Sequence, residues 1–186
     1  DSRYVFLANT HPVLQQQMAG RLKSAKLIVA DTMNLWIQTE RAELGKLLKL
    51  IHGLVLNDGE ARLLTGKKNL IEAAHDVLKM GPKFVVIKKG EHGCVMCSDR
   101  DTFVLPAFPA ERVVDPTGAG DSFAGGMMGY LATQSSFSSA TIKRALAFGT
   151  VVASYTIADF SLDALRGLSR DEIDQRWMKL KQAMDF

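Results

Sequence analysis

The apolar and polar positions of this chain alternate as short strands and amphipathic helices do. Tyr4 to Ala8 is a short apolar run that ends at Asn9-Thr10-His11-Pro12, a turn and a helix start. Val13 to Leu22 has helical spacing, with glutamines at the exposed positions. Lys26 to Ala30 predicts a second strand, of the buried kind, and Asp31-Thr32 is its polar exit. Ala42 to Ile51 predicts a helix with Leu44, Leu47, Leu48 and Ile51 on one face. Gly53 to Leu56 follows as a third strand; Asn57-Asp58 caps the next helix and Gly66 stops it. Leu70 to Met80 predicts a further helix, ended by Gly81-Pro82. Phe84-Val85-Val86-Ile87 is continuously apolar, the mark of a strand covered on both faces. Cys94 to Cys97 and Thr102 to Leu105 flank Ser98-Asp99-Arg100-Asp101 as a hairpin. Helices to Ala132, over Thr141 to Ser154, over Leu162 to Leu165 and over Asp171 to Met184 complete the pattern.

Strands alternating with helices imply a mostly parallel sheet with helices on both faces. In such sheets ligands bind at the carboxyl ends of the strands. The polar exits at Asn9, Asp31, Asn57 and Asp115 all fall at predicted strand ends. No repeat, low-complexity tract or linker interrupts the pattern, so the 186 residues read as one continuous α/β domain, 1–186.

Composition narrows the function classes. Hydrophobic residues make up 47% and charged residues 23%, an ordinary soluble balance. The net charge of +3 is small and spread out, with no basic block of the kind that marks nucleic-acid or polybasic membrane binding. No apolar run approaches the ~20 residues of a membrane helix, and residues 1–30 lack the pattern of a signal peptide. The strand pattern begins almost at once and without a Met, as if inside a domain. The two cysteines, Cys94 and Cys97, sit three apart in a predicted strand and so point to opposite faces. With no second pair to complete a zinc site, they read as buried or half-buried thiols, and a reducing cytoplasm follows as the expected compartment.

The chemistry concentrates in Val113-Val114-Asp115-Pro116-Thr117-Gly118-Ala119-Gly120-Asp121-Ser122-Phe123. Pro116 biases Asp115 to extended geometry. Gly118 and Gly120 allow a tight turn. From Ala119 the spacing of Phe123, Met127 and Leu131 is helical. The segment therefore reads as strand, glycine turn and helix N-terminus, with unpaired N–H groups and a positive dipole end suited to an anion. Asp121 would repel a phosphate there, unless its task is to take a proton from the attacking group. An anion cradle and a carboxylate base in one turn suit phosphoryl transfer to a hydroxyl.

Asp115-Pro116-Thr117-Gly118-Ala119-Gly120-Asp121-Ser122-Phe123 resembles, nearly letter for letter, the C-terminal signature of the ribokinase-like carbohydrate and nucleoside kinases, the PfkB family. The resemblance runs from about Tyr4 to Leu165 and implies a three-layer α/β/α ribokinase-like fold whose first strands, sugar-binding glycines and small β lid are missing. It implies an ATP-dependent kinase acting on a primary alcohol of a sugar or nucleoside, with Asp121 as base. The N–H groups of Gly118, Ala119, Gly120 and Asp121 would serve as an oxyanion-type hole. Asn57 and Glu60 match the family's Asn-x-x-Glu element, which helps place Mg²⁺ and phosphate; a capping box alone explains the same spacing. Lys88, Gly90 and Gly93 match the nucleotide-side strand and turn; plain solvated charge is an equal reading of Lys88 and the reading of Lys89, and His92 reads as a turn residue. Ala147 and Gly149 lie on the helix that the family sets against adenine, although small residues at a helix–helix contact account for the pattern equally. Asp115 and Thr117 match positions that hold a monovalent cation, K⁺, in many relatives; a turn-forming Asp115 is the plain reading. Asp31-Thr32-Met33-Asn34 matches a loop near the acceptor, and Asp31 reads equally as a cap. The expected partners are a small sugar or nucleoside acceptor and a second copy in a homodimer, with neither nucleic acid nor membrane. A non-catalytic nucleotide- or phosphate-binding module is the alternative. A dinucleotide fold is disfavoured because the glycine turn comes late in the chain.

Overall fold

A computed structural model describes residues 2–136 and 138–185. The chain divides into two compact units, Asp1–Val104 and Leu105–Phe186.

The first unit carries the sheet. Its strands are β1 (Tyr4–Leu7), β2 (Leu27–Asp31), β3 (Gly53–Asn57), β4 (Phe84–Lys88), β5 (Cys94–Ser98) and all but the last residue of β6 (Thr102–Leu105), side by side in sequence order. β1 to β4 are parallel and β5 runs antiparallel to β4. The crossovers are α1 (Pro12–Arg21), α2 (Asn34–Thr39) with α3 (Arg41–Leu48), and α4 (Asp58–Thr65) with α5 (Leu70–Lys79). Leu44, Leu47 and Leu48 of α3, Ala61 and Leu64 of α4, and Ala73, Ala74 and Val77 of α5 share one core with Ile28, Ala30, Leu54, Leu56, Val85 and Ile87 of the strands. These are alternate strand positions, so all the crossover helices pack on one face, as same-handed connections require. The intervening residues Val29, Val55, Val86 and Met96 are buried as well. That is why the strands read as unbroken apolar runs rather than as an alternation.

The second unit is helical, with α6 (Ala119–Ala132), α7 (Ser139–Thr156) and α8 (Arg170–Ala183). Phe123, Met127 and Leu131 are buried on one face of α6, as their spacing predicts. α6 and α7 approach closely at two glycines. A Cβ on Gly126 would sit 2.8 Å from Val152 Cγ2, and one on Gly149 would sit 2.6 Å from the Phe123 carbonyl oxygen. Tyr130, Phe148 and Trp177 stack in turn at 4.5 and 5.7 Å, joining α8 to the pair.

Three expectations are corrected. Val113 to Asp115 is not a strand: the residues from 106 to the glycine turn run as irregular chain, tied by the Val114 N–H to the Ile157 carbonyl at 2.7 Å. Val113 and Val114 are exposed, so nothing on a sheet selects extended pairing there. Asp115 therefore does not lie at a strand end. Leu162 to Leu165 is a single 3₁₀ turn over Asp163–Leu165. α2 was not expected; six residues with Ile37 alone buried are too few to show a period.

Candidate functional site

Each unit holds its own set of the expected residues. In the second unit, Gly118 adopts φ 77, ψ −2, a left-handed conformation that a side chain would strain. It forms the N-cap of the fourteen-residue α6, and no side chain caps this end. The Ala119 N–H turns back onto the Pro116 carbonyl at 3.1 Å, and the Ser122 N–H begins the helix ladder on the Gly118 carbonyl at 2.9 Å. Among the described residues the N–H groups of Gly118, Gly120 and Asp121 have no acceptor. Three of the four expected donors are thus open, and the fourth shapes the turn. The Asp121 carboxylate is exposed in this first helical turn and has neither hydrogen bond nor ion pair among the described residues. Open donors beside an uncommitted carboxylate can cradle an anion and accept a proton within one turn.

Before the turn, Asp115 Oδ1 accepts the Thr117 N–H at 2.9 Å. The Thr117 hydroxyl, then this N–H, hold the Asp115 carboxyl below its usual range, so it stays charged. Two residues had no local signal to mark them. Thr156, at the end of α7 and buried, donates through Oγ1 to Ser122 Oγ at 2.7 Å. The partners are far apart in sequence, and only the helix seam brings them together. Gly149 is explained by that seam, since a side chain would strike the Phe123 backbone; Ala147 is buried beside it on α7.

In the first unit, Asn57 ends β3 directly opposite Lys88, the last residue of β4. The capping box forms in full: Asn57 Oδ1 accepts the Glu60 N–H at 2.8 Å, and Glu60 Oε2 accepts the Asn57 N–H at 2.7 Å. Burial pushes the Glu60 carboxyl above its usual range, against the opposing pull of the Asn57 N–H and the Lys88 charge. Gly90 and Gly93 both take positive φ around the 3₁₀ turn Gly90–His92, which the Lys89 N–H closes on the Gly93 carbonyl at 2.7 Å. Among the described residues no group of three or more His, Cys, Asp or Glu could enclose a metal ion. The donor set at Asn57 and Glu60, with one carboxylate oxygen and the amide oxygen already committed, fits a metal held through its waters rather than a protein cage. Asp115, charged and beside a hydroxyl, is an oxygen donor of the type a monovalent cation takes.

The thiols are inert. Cys94 and Cys97 are free and buried, and burial pushes the Cys94 thiol up to about 12. No helix among the described residues is long and apolar enough to cross a membrane.

Residues 10–165 match the pfkB family carbohydrate kinases. The chain is 33% identical over 132 residues to the cytidine kinase of Thermococcus kodakarensis, which covers 69% of this chain and 47% of that protein. The crystal structure of fructokinase from Vibrio cholerae O395, bound to fructose, ADP and calcium, superimposes with a TM-score of 0.82 at 16% identity, covering 95% of this chain and 62% of that one. That of aminoimidazole riboside kinase from Salmonella enterica, with aminoimidazole riboside and an ATP analogue, gives 0.77 at 20% identity over 94% and 63%. These structures establish the fold, a ribokinase-like α/β fold with a mostly parallel sheet. The chain spans about half the length of the cytidine kinase it matches.

Proposed function

We propose, since this chain belongs to the pfkB family of carbohydrate kinases, that it is the nucleotide-side portion of an ATP-dependent phosphotransferase acting on a primary hydroxyl of a sugar or nucleoside. The observation that carries the reading is the glycine turn, where an uncommitted Asp121 carboxylate stands beside the open N–H groups of Gly118, Gly120 and Asp121. In this reading Asp121 takes the proton of the acceptor hydroxyl as its oxygen attacks the γ-phosphorus and the bond to the β-phosphate oxygen breaks. The open N–H groups lower the energy of the charge on the phosphoryl oxygens. The neutral-to-charged change at the alcohol is what the base assists, so removing the carboxylate leaves binding and loses rate.

Asn57 and Glu60 would hold Mg²⁺ through its waters, and Lys88, Gly90 and Gly93 would flank the nucleotide. A divalent ion supplies charge neutralisation at the phosphates when bound. Asp115 and Thr117 would hold K⁺ beside the turn, and α7 around Ala147 and Gly149 would line the adenine side. The 33% identical cytidine kinase supports a nucleoside as acceptor, and a free sugar stands beside it in the test. Buried free thiols support a reducing compartment, the cytoplasm. The homodimer is part of the same reading, and light scattering tests it.

The deciding experiment measures ATP consumption against a panel of nucleosides and sugars, with Asp121→Asn beside the wild type. The expected result is a kcat at least about 100-fold lower in the variant, with the Kd of a non-hydrolysable ATP analogue nearly unchanged. Retained kcat would remove Asp121 from the role. Analogue binding without turnover of any acceptor would instead favour the non-catalytic module, which the family's kinases do not support.

A further inference from the structure

Within the second unit, the carboxyl-terminal end of α7 holds both flanks of the glycine turn. On the entry side the Ile157 carbonyl accepts the Val114 N–H at 2.7 Å. On the exit side Thr156 Oγ1 donates to Ser122 Oγ at 2.7 Å. Beneath the turn, Thr156 Cγ2 lies 3.9 Å from where a Cβ on Gly118 would stand. The Thr156 hydroxyl has one proton; the Val152 carbonyl, at 3.5 Å, is the longer alternative, so the proton goes to Ser122.

Thr156 is 1% exposed. A valine there would have the same shape and bring no polar atom into the seam, whereas a buried hydroxyl costs free energy unless it is bonded. Packing alone therefore does not call for threonine. What the hydroxyl adds is a link to the residue next to Asp121. The Asp121 carboxylate has no partner of its own among the described residues, so the backbone of the first helical turn alone sets its direction. The glycine contacts between α6 and α7 fix the two helices against each other, which makes Thr156 a firm anchor for that turn.

We propose that Thr156 is a positioning residue for the phosphoryl transfer. Through Ser122 its hydroxyl holds the first turn of α6 in one geometry, and with it the Asp121 carboxylate and the N–H groups of Gly118, Gly120 and Asp121. The contact stands independently; its catalytic consequence rests on the kinase reading given above.

The test compares Thr156→Val, Thr156→Ser and Ser122→Ala with the wild-type chain. The first readout is amide hydrogen exchange, followed by NMR without nucleotide. Removing the link is expected to speed exchange of the Ser122 N–H about ten-fold or more, as local opening of the first turn becomes easier. Exchange at Met127 and Leu131 stays as it is, and Thr156→Ser keeps the wild-type rate. The second readout is turnover: kcat is expected to fall about ten-fold in Thr156→Val with the KM for ATP within about three-fold, and to recover in Thr156→Ser. Ser122→Ala should match Thr156→Val, with the double variant no worse than either. Unchanged exchange at Ser122, or a serine variant that behaves as the valine does, overturns the proposal. If the wild-type chain neither binds the ATP analogue nor turns over an acceptor, the kinase reading fails for this chain and the exchange result alone decides the clamp. Should Thr156→Val unfold, Ser122→Ala carries both readouts, because its side chain lies on the partly exposed side of the link.

Discussion

Gly149 and Gly45 make opposite demands on a methyl group. A Cβ on Gly149 would lie 2.6 Å from the Phe123 carbonyl oxygen, a backbone atom that cannot swing aside. Gly149→Ala is therefore expected to destabilise the chain by about 1–3 kcal/mol, the usual range for overpacking, measured by urea unfolding. Gly45 lies inside α3 with nothing within 4 Å of the same point. Gly45→Ala should stabilise by roughly 0.5–1 kcal/mol, because alanine restricts the unfolded chain and suits a helix interior. His52 sets a pH dependence at the same scale. Its Nδ1 accepts the Ile28 N–H at 3.0 Å, and burial followed by the Lys83 charge lowers its pKa from the ordinary 6.5. The unfolded chain thus binds a proton in a range where the folded chain does not, so this contribution is full above 6.5 and is lost as pH falls below it. The raised Glu60 carboxyl acts with the opposite sign, weakening the fold as pH rises above its ordinary value. The test is accordingly a difference: His52→Asn, which keeps an acceptor for Ile28, should flatten the loss of stability between about pH 7 and pH 5. An unchanged slope would take His52 out of the account.

Among the elements, α4 separates a cap from a ligand role. Its capping box is complete, so the spacing of Asn57 and Glu60 has a structural cause whatever else they do. Asn57→Ala should cost about 1 kcal/mol as the lost cap. Glu60→Gln keeps an acceptor for the Asn57 N–H and removes only the charge. If Glu60 also orders a metal's waters, this variant unfolds at or near the wild-type midpoint, yet needs several-fold more Mg²⁺ for ATP turnover; an unaltered Mg²⁺ titration leaves only the cap. The same element shows what the sequence could tell. Asn57, Glu60 and Gly66 announce the start and stop of α4 through local hydrogen bonds and one left-handed residue, and all three appear as read. The glycine turn was equally legible, because Pro116 fixes its own backbone and Gly118 permits the left-handed conformation that the turn takes. Val113 and Val114 look like a strand, but a strand needs a neighbour, and their burial could not be read from two apolar letters. The Thr156–Ser122 link was invisible for the converse reason. It is set by the approach of two helices at Gly126 and Gly149, and neither hydroxyl bears a local mark of it.

At the scale of the whole molecule the open matter is whether the two compact units unfold as one domain, which the unbroken sequence pattern predicts. The two tryptophans provide one reporter for each unit. Trp36, on α2, donates through its indole N–H to Asn9 Oδ1 at 2.9 Å. Trp177, on α8, stacks on Phe148. Both lie in specific surroundings that unfolding destroys, so their fluorescence follows local structure. In Trp36→Phe the signal reports the second unit alone; in Trp177→Phe it reports the first. A single domain unfolds all or none, so each variant's fluorescence midpoint in urea must coincide with its own midpoint by far-ultraviolet circular dichroism. Each substitution shifts stability somewhat, which is why the comparison is made within a variant and not between the two. The expected outcome is coincidence in both. A fluorescence midpoint displaced from the circular dichroism midpoint in either variant means that one unit melts alone. Where the first unit is the one that melts first, the glycine turn, which lies wholly in the second unit, would keep its geometry independently of the sheet.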